Sequence, residues 1–79
     1  MRPKERRLSD VLFELGAVVR QRREGIGLSQ DELGHLCGLH RTYIGSVERG
    51  ERNLTLSSIM TISRALQIAP HELLKRVDL

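Results

Sequence analysis

The sequence is nearly bare of aromatic residues: Phe13 and Tyr43 stand alone, and there is no tryptophan. A platform that stacks the bases of a single-stranded nucleic acid needs several exposed rings, which argues against that binding mode. A single cysteine, Cys37, rules out an internal disulfide and fits a reducing cytoplasm. Long apolar runs are missing too. No stretch approaches the roughly 18 residues that span a bilayer, and the basic N-terminal residues are not followed by the apolar core of a signal peptide. The expectation is a soluble cytoplasmic protein with no membrane contact. Excess charge is also absent over most of the chain. The net +3 of the 79 residues comes entirely from the first seven, where Arg2, Lys4, Arg6 and Arg7 stand against Glu5; the other 72 carry nine basic and nine acidic side chains. The basic balance therefore does not by itself point to nucleic acid, and any DNA-facing surface must arise from local segregation of charge.

What the sequence does contain is clear helical punctuation. The length suits one small domain. A chain of this size buries only about 60–65% of its unfolded surface, and a second subunit often supplies what such a core lacks. Residues 1–8 read as a flexible basic arm and 9–79 as a single all-α domain of five helices; no segment alternates with period two. Ser9 is placed to cap the first helix, whose apolar positions are Val11, Leu12, Leu15, Val18 and Val19, and which Gly25 and Gly27 end. Ser29-Gln30-Asp31-Glu32 is a capping box opening a short second helix that stops at Gly38. A third helix runs from about His40 to Glu48, before Gly50. Thr55 caps a fourth, with Leu56, Ile59, Met60, Ile62 and Leu66 on its apolar side. Pro70 begins a fifth, continuing to about Val77.

The second and third helices satisfy a demanding register. Counted from Gln30, the fifth residue is Gly34, small enough for another helix to pass over it. The ninth is Gly38, free to take positive φ. The fourth, eighth, tenth, fifteenth and eighteenth are Leu33, Cys37, Leu39, Ile44 and Val47, all suited to gluing two steeply crossed helices together. The stretch from about Leu15 to Leu74 resembles the Cro- and phage-repressor-like helix-turn-helix family, in Gly27-Leu28-Ser29-Gln30-Asp31-Glu32-Leu33 and in Glu48-Arg49-Gly50. Within it, Arg41-Thr42-Tyr43-Ile44 and Arg52-Asn53-Leu54-Thr55 are most similar to the controller proteins of restriction–modification systems. Two positions depart from the pattern: Gly34 replaces a usual alanine, and Gly45-Ser46 replaces a usual Ser-Gly. The resemblance implies a compact lambda-repressor-like domain that binds double-stranded operator DNA as a homodimer. RNA polymerase is a further possible partner, and no cofactor, metal or small-molecule ligand is implied.

The third helix would enter the major groove by its N-terminal end. Arg41 can fork to guanine O6 and N7, and Thr42 can offer a methyl or hydroxyl to a base edge. With Arg52, these are the base readers the resemblance implies; His40 and Ser46 complete the contacts expected from this helix. The resemblance gives Gln30 a phosphate contact at a helix N-terminus; the alternative is a solvent-facing residue of a capping turn. Tyr43, Arg49 and Asn53 are candidate backbone contacts, with Tyr43 alternatively packing against the second helix. The resemblance implies that Glu48 pairs with Arg23, with Arg20 as the other candidate, holding two helices and masking a carboxylate near phosphate. Leu66, Ile68, Leu73, Leu74 and Val77 are read as a dimer seam, or else as internal packing. The basic arm either tracks DNA or is free.

A metal site, an interaction module and an enzyme fit the sequence less well. His35, Cys37 and His40 superficially offer metal ligands, but Cys37 must face the core and His35 lies on another face. An antitoxin or other interaction module of the same fold needs surface reserved for its partner. An enzyme needs a nucleophile with a base and orienting group, a carboxylate pair or a phosphate loop, and none is present.

Overall fold

The computed structural model describes residues 5–79, which form five helices and no strand: α1 (Leu8–Gly25), α2 (Gln30–Cys37), α3 (Arg41–Glu48), α4 (Leu56–Ala65) and α5 (Pro70–Lys75). Local backbone chemistry explains most of the boundaries. The Ser29 hydroxyl accepts from Glu32 N at 3.0 Å while the Glu32 carboxylate accepts from Ser29 N at 3.0 Å, and these bonds hold the Glu32 carboxyl below its ordinary pKa. Gly38 closes α2 at φ +68°. Thr55 caps α4 by accepting from Ser58 N.

The first boundary differs from expectation. Arg7, not Ser9, precedes the helix: its carbonyl accepts from Asp10 N and Val11 N, both at 3.1 Å, and no side chain caps the end. The reason lies just upstream. The Arg6 guanidinium, only 15% exposed, donates to Glu14 Oε1 at 2.7 Å and to the Asp78 carbonyl. From Arg6 onward the expected free arm is thus tied back to α1 and to the C-terminal segment. Residues 1–4 of that arm lie outside the described residues.

Helix α3 lies against both α1 and α2, α2 also meets α4, and α5 closes over α1 and α4. One core runs between them: Leu15, Val18 and Val19 of α1, Leu33 of α2, Ile44 and Val47 of α3, then Ile62, Leu66, Leu73 and Val77. Three residues of the expected dimer seam instead take the alternative place, internal packing. Leu66, Leu73 and Val77 are 0%, 1% and 4% exposed within a single chain, so they have no surface left for a partner; only Ile68 and Leu74 stay partly accessible. A chain this small needs nearly every C-terminal apolar residue for its own interior. Helix α4 is also rotated from its expected face. Ile62, Ser63 and Leu66 point inward, whereas Leu56 and Met60 are exposed. A serine can occupy this inner position because its hydroxyl is satisfied by the Ile59 carbonyl one turn back.

At the end of α4 the chain turns through Gln67, which has φ +58°. Arg22, in the last turn of α1, grips this corner: Nε donates to the Leu66 carbonyl at 2.9 Å and Nη2 to the Gln67 carbonyl at 3.2 Å. No helix among the described residues is long and apolar enough to cross a membrane.

Candidate nucleic-acid interface

The turn between α2 and α3 sets how the third helix is presented. An ideal Cβ on Gly34 would stand 2.5 Å from the Leu39 carbonyl oxygen. The glycine that departs from the family's usual alanine therefore has a packing reason: the chain entering α3 passes closer here than an alanine allows. His40 then caps α3. Its Nδ1 accepts from Thr42 N at 3.1 Å and lies 2.7 Å from Thr42 Oγ1. Arg41 and Thr42 are exposed on this first turn, as groove entry requires. The cap also occupies the ring nitrogen nearest the backbone, and among the described residues no group of three His, Cys, Asp or Glu is arranged to hold a metal. Partial burial raises the free Cys37 thiol above its ordinary pKa.

At the other end of α3, Glu48 meets Arg23 in a two-pronged ion pair. Arg23 Nε lies 2.6 Å from Oε2 and Nη2 lies 3.0 Å from Oε1, with the side chains only 9% and 3% exposed. Arg23 also donates from Nη1 to the Leu28 carbonyl at 2.7 Å. The carboxylate bonded to it raises the guanidinium's pKa still further. Arg20 instead faces Glu24 on its own helix at 3.6 Å. Gln30 is half-buried rather than wholly solvent-facing: Nε2 donates to Glu48 Oε1 at 3.1 Å, so its side chain joins the buried pair through one of its two amide hydrogens. Backbone amides at that end of α2 are also available to an anion.

The second half of α3 and the loop after it carry the remaining candidates. Ser46 is not an outward contact; it is 7% exposed, because residues 44–48 are all buried between neighbouring elements. Its hydroxyl donates to the Tyr43 carbonyl at 2.6 Å and accepts from Arg52 Nε at 3.0 Å. Tyr43 is half-buried, and the Arg52 guanidinium carbon sits 5.2 Å from its ring centroid. Arg49 is exposed but engaged: Nε and Nη2 reach the two Glu51 oxygens at 2.9 and 3.2 Å. That fork, aided by nearby Arg52, holds the Glu51 carboxyl below its ordinary pKa and raises that of Arg49. Asn53 is exposed.

Arg41, Thr42, Tyr43, Arg49, Arg52 and Asn53 thus belong to the start of α3 or to the segment immediately after it, while Gln30, Ser46 and Glu48 support them from within. Sequence reasoning missed two members of this arrangement. Gly16 lets α1 touch the end of α3, since an ideal Cβ there would stand 2.4 Å from the Val47 oxygen and 2.6 Å from the Glu48 oxygen. A glycine inside an otherwise good helix was the available signal. Glu51, the counter-charge to Arg49, left no periodic trace.

Comparison with known proteins agrees with this geometry. The sequence pattern of a helix-turn-helix family matches residues 19–73. The chain is 47% identical over 70 residues to the control protein C.SmaI of Serratia marcescens, covering 89% of this chain and 83% of that one. It is 48% identical over 67 residues to the control protein C.BamHI of Bacillus amyloliquefaciens, covering 84% and 83%. The crystal structure of the restriction–modification controller protein C.AhdI from Aeromonas hydrophila superposes with a TM-score of 0.76 at 47% identity, over 78% of this chain and 94% of that one. The chain belongs to this helix-turn-helix family: it is a DNA-binding transcriptional regulator, not an enzyme, and is closely related to the restriction–modification controller proteins.

Proposed function

We propose that the protein binds a near-palindromic operator as a homodimer in the cytoplasm and acts as the controller of a restriction–modification system, regulating its own gene and that of the endonuclease. RNA polymerase is then the machinery on which the bound dimer acts. The observation that carries this reading is the exposed pair Arg41–Thr42 on a first turn fixed by the His40 cap. Two such turns related by a two-fold axis would meet successive major grooves about 34 Å apart. Arg41, Thr42 and Arg52 read bases in this scheme, and Tyr43, Arg49 and Asn53 contact the backbone, with the α2 N-terminus adding amide contacts.

Footprinting on the DNA upstream of the gene tests it directly. A symmetric protected site is expected, and Arg41→Ala should weaken binding there by about 1–3 kcal/mol while relaxing one base position in each half-site. Equal binding by the variant would remove α3 from the reading role. For the dimer, the exposed Leu56 and Met60, one helical turn apart on α4, and the partly accessible Ile68 and Leu74 are apolar side chains available to a second copy. Burying side chains of this size contributes about 1.5–3 kcal/mol each. Replacing both Leu56 and Met60 by lysine should therefore raise the dimer dissociation constant at least about tenfold. Sedimentation equilibrium would measure it, and an unchanged constant would place the seam elsewhere.

A further inference from the structure

Ser46 presents a buried hydroxyl with two partners on different segments. Its bond to the Tyr43 carbonyl is the ordinary back-bond of a helical serine to the preceding turn. Its second bond is less ordinary: it accepts Nε of Arg52, a residue beyond the end of α3. The same guanidinium lies over the Tyr43 ring, so one side chain is pinned at its edge and along its face. Among the described residues, no hydrogen bond takes Nη1 or Nη2 of Arg52.

We infer that Ser46 is a positioning residue for DNA recognition, holding Arg52 by Nε so that its two terminal nitrogens present an end-on fork to a guanine edge. The inference rests on the DNA-binding reading above. A free arginine can approach an acceptor pair side-on, through Nε and one terminal nitrogen, or end-on, through Nη1 and Nη2. With Nε occupied only the end-on pair remains, and it matches the adjacent O6 and N7 acceptors of guanine. A long, flexible side chain ordinarily loses its rotamer freedom on contact; the bracket of Ser46 and Tyr43 restricts that freedom in the unbound protein. Serine occupies a position where the controller pattern has glycine, which has no side-chain hydroxyl to supply this bond.

A double-mutant cycle on the footprinted operator tests the assignment, read by fluorescence anisotropy. Ser46→Ala should weaken binding about three- to tenfold, the penalty of ordering one long side chain on contact. In an Arg52→Ala background the same change should cost nothing further. Arg52→Lys, which keeps the charge and leaves Ser46 untouched, should lose at least as much as Ser46→Ala because it has no Nε and no planar fork. Equal losses from Ser46→Ala in both backgrounds would make Ser46 merely structural and overturn the inference; so would an unweakened Ser46→Ala or Arg52→Lys protein. In the free protein, NMR should show a protected Arg52 Nε–H with contacts to the Tyr43 ring, lost in Ser46→Ala. Its absence from the parent would overturn the bracket itself. If the parent bound no upstream DNA, the proposed operator reading would fall and the recognition role with it, whether or not that NMR signature persisted. Operator binding without coupling between the two sites would sink the Ser46 assignment alone.

Discussion

Replacing Glu48 with alanine should destabilise the fold by about 3–5 kcal/mol, because it strands the Arg23 guanidinium in a nearly dry site. Loss of the carboxylate also frees the Gln30 amide that donates to it. A domain of this size loses about 4–8 °C of melting temperature per kcal/mol, so a fall of about 15 °C or more is expected by calorimetry. The comparison that separates charge from packing is the double replacement Arg23→Met/Glu48→Leu. Apolar residues of similar volume often substitute for a buried ion pair with little loss, so this variant should melt close to the parent. A mild Glu48→Ala defect, under about 1 kcal/mol, would mean that water reaches Arg23 and that the pair does not anchor α3.

The next largest effect is expected at Gly16, and its sign is the test. By helix propensity alone, alanine should be better there by about 1 kcal/mol. The structure argues the reverse, since the new Cβ would stand 2.4 Å from the Val47 carbonyl oxygen, a backbone atom that no rotamer change can move aside. Gly16→Ala should therefore destabilise despite its better propensity. Gly16→Val, which adds two more methyl groups at the same crossing, should cost about 3 kcal/mol, the upper part of the usual overpacking range. Urea unfolding would rank parent, alanine and valine. An alanine variant more stable than the parent would show that α1 and α3 are not in tight contact.

The parts of this molecule legible in its sequence are those fixed by local backbone chemistry. Ser29 and Glu32 can satisfy each other only across one helical turn, Gly38 alone suits its positive φ, and Thr55 has an orphan amide within reach. Those residues mark helix ends regardless of the rest of the chain. Faces are harder to read on short helices. The five consecutive residues from Ile44 to Glu48 are all buried, so only the first turn of α3 faces outward, and the expected outward position at Ser46 is internal. On α4 the inward place goes to Ser63 while Leu56 and Met60 are exposed, an inversion that hydrophobicity cannot anticipate. Leu66, Leu73 and Val77 show the matching ambiguity, because an apolar side chain looks the same in a sequence whether its cover is this chain or another. Glu51 was silent for a different reason: a pairing two residues apart in a loop follows from the turn's shape, not from any periodic pattern.

Arg22 and Arg23 are sequence neighbours, yet they hold separate bodies: Arg23 fastens the end of α3, and Arg22 fastens the corner after α4. A single helical turn therefore acts as a stiff strut between the end proposed to face DNA and the side on which the proposed dimer forms. For such a dimer, stiffness turns the separation of the half-sites into a selection criterion. One inserted base pair shifts the second half-site by about 3.4 Å along the DNA and rotates it by about 36°. A frame braced at both ends by adjacent arginines has little compliance with which to follow.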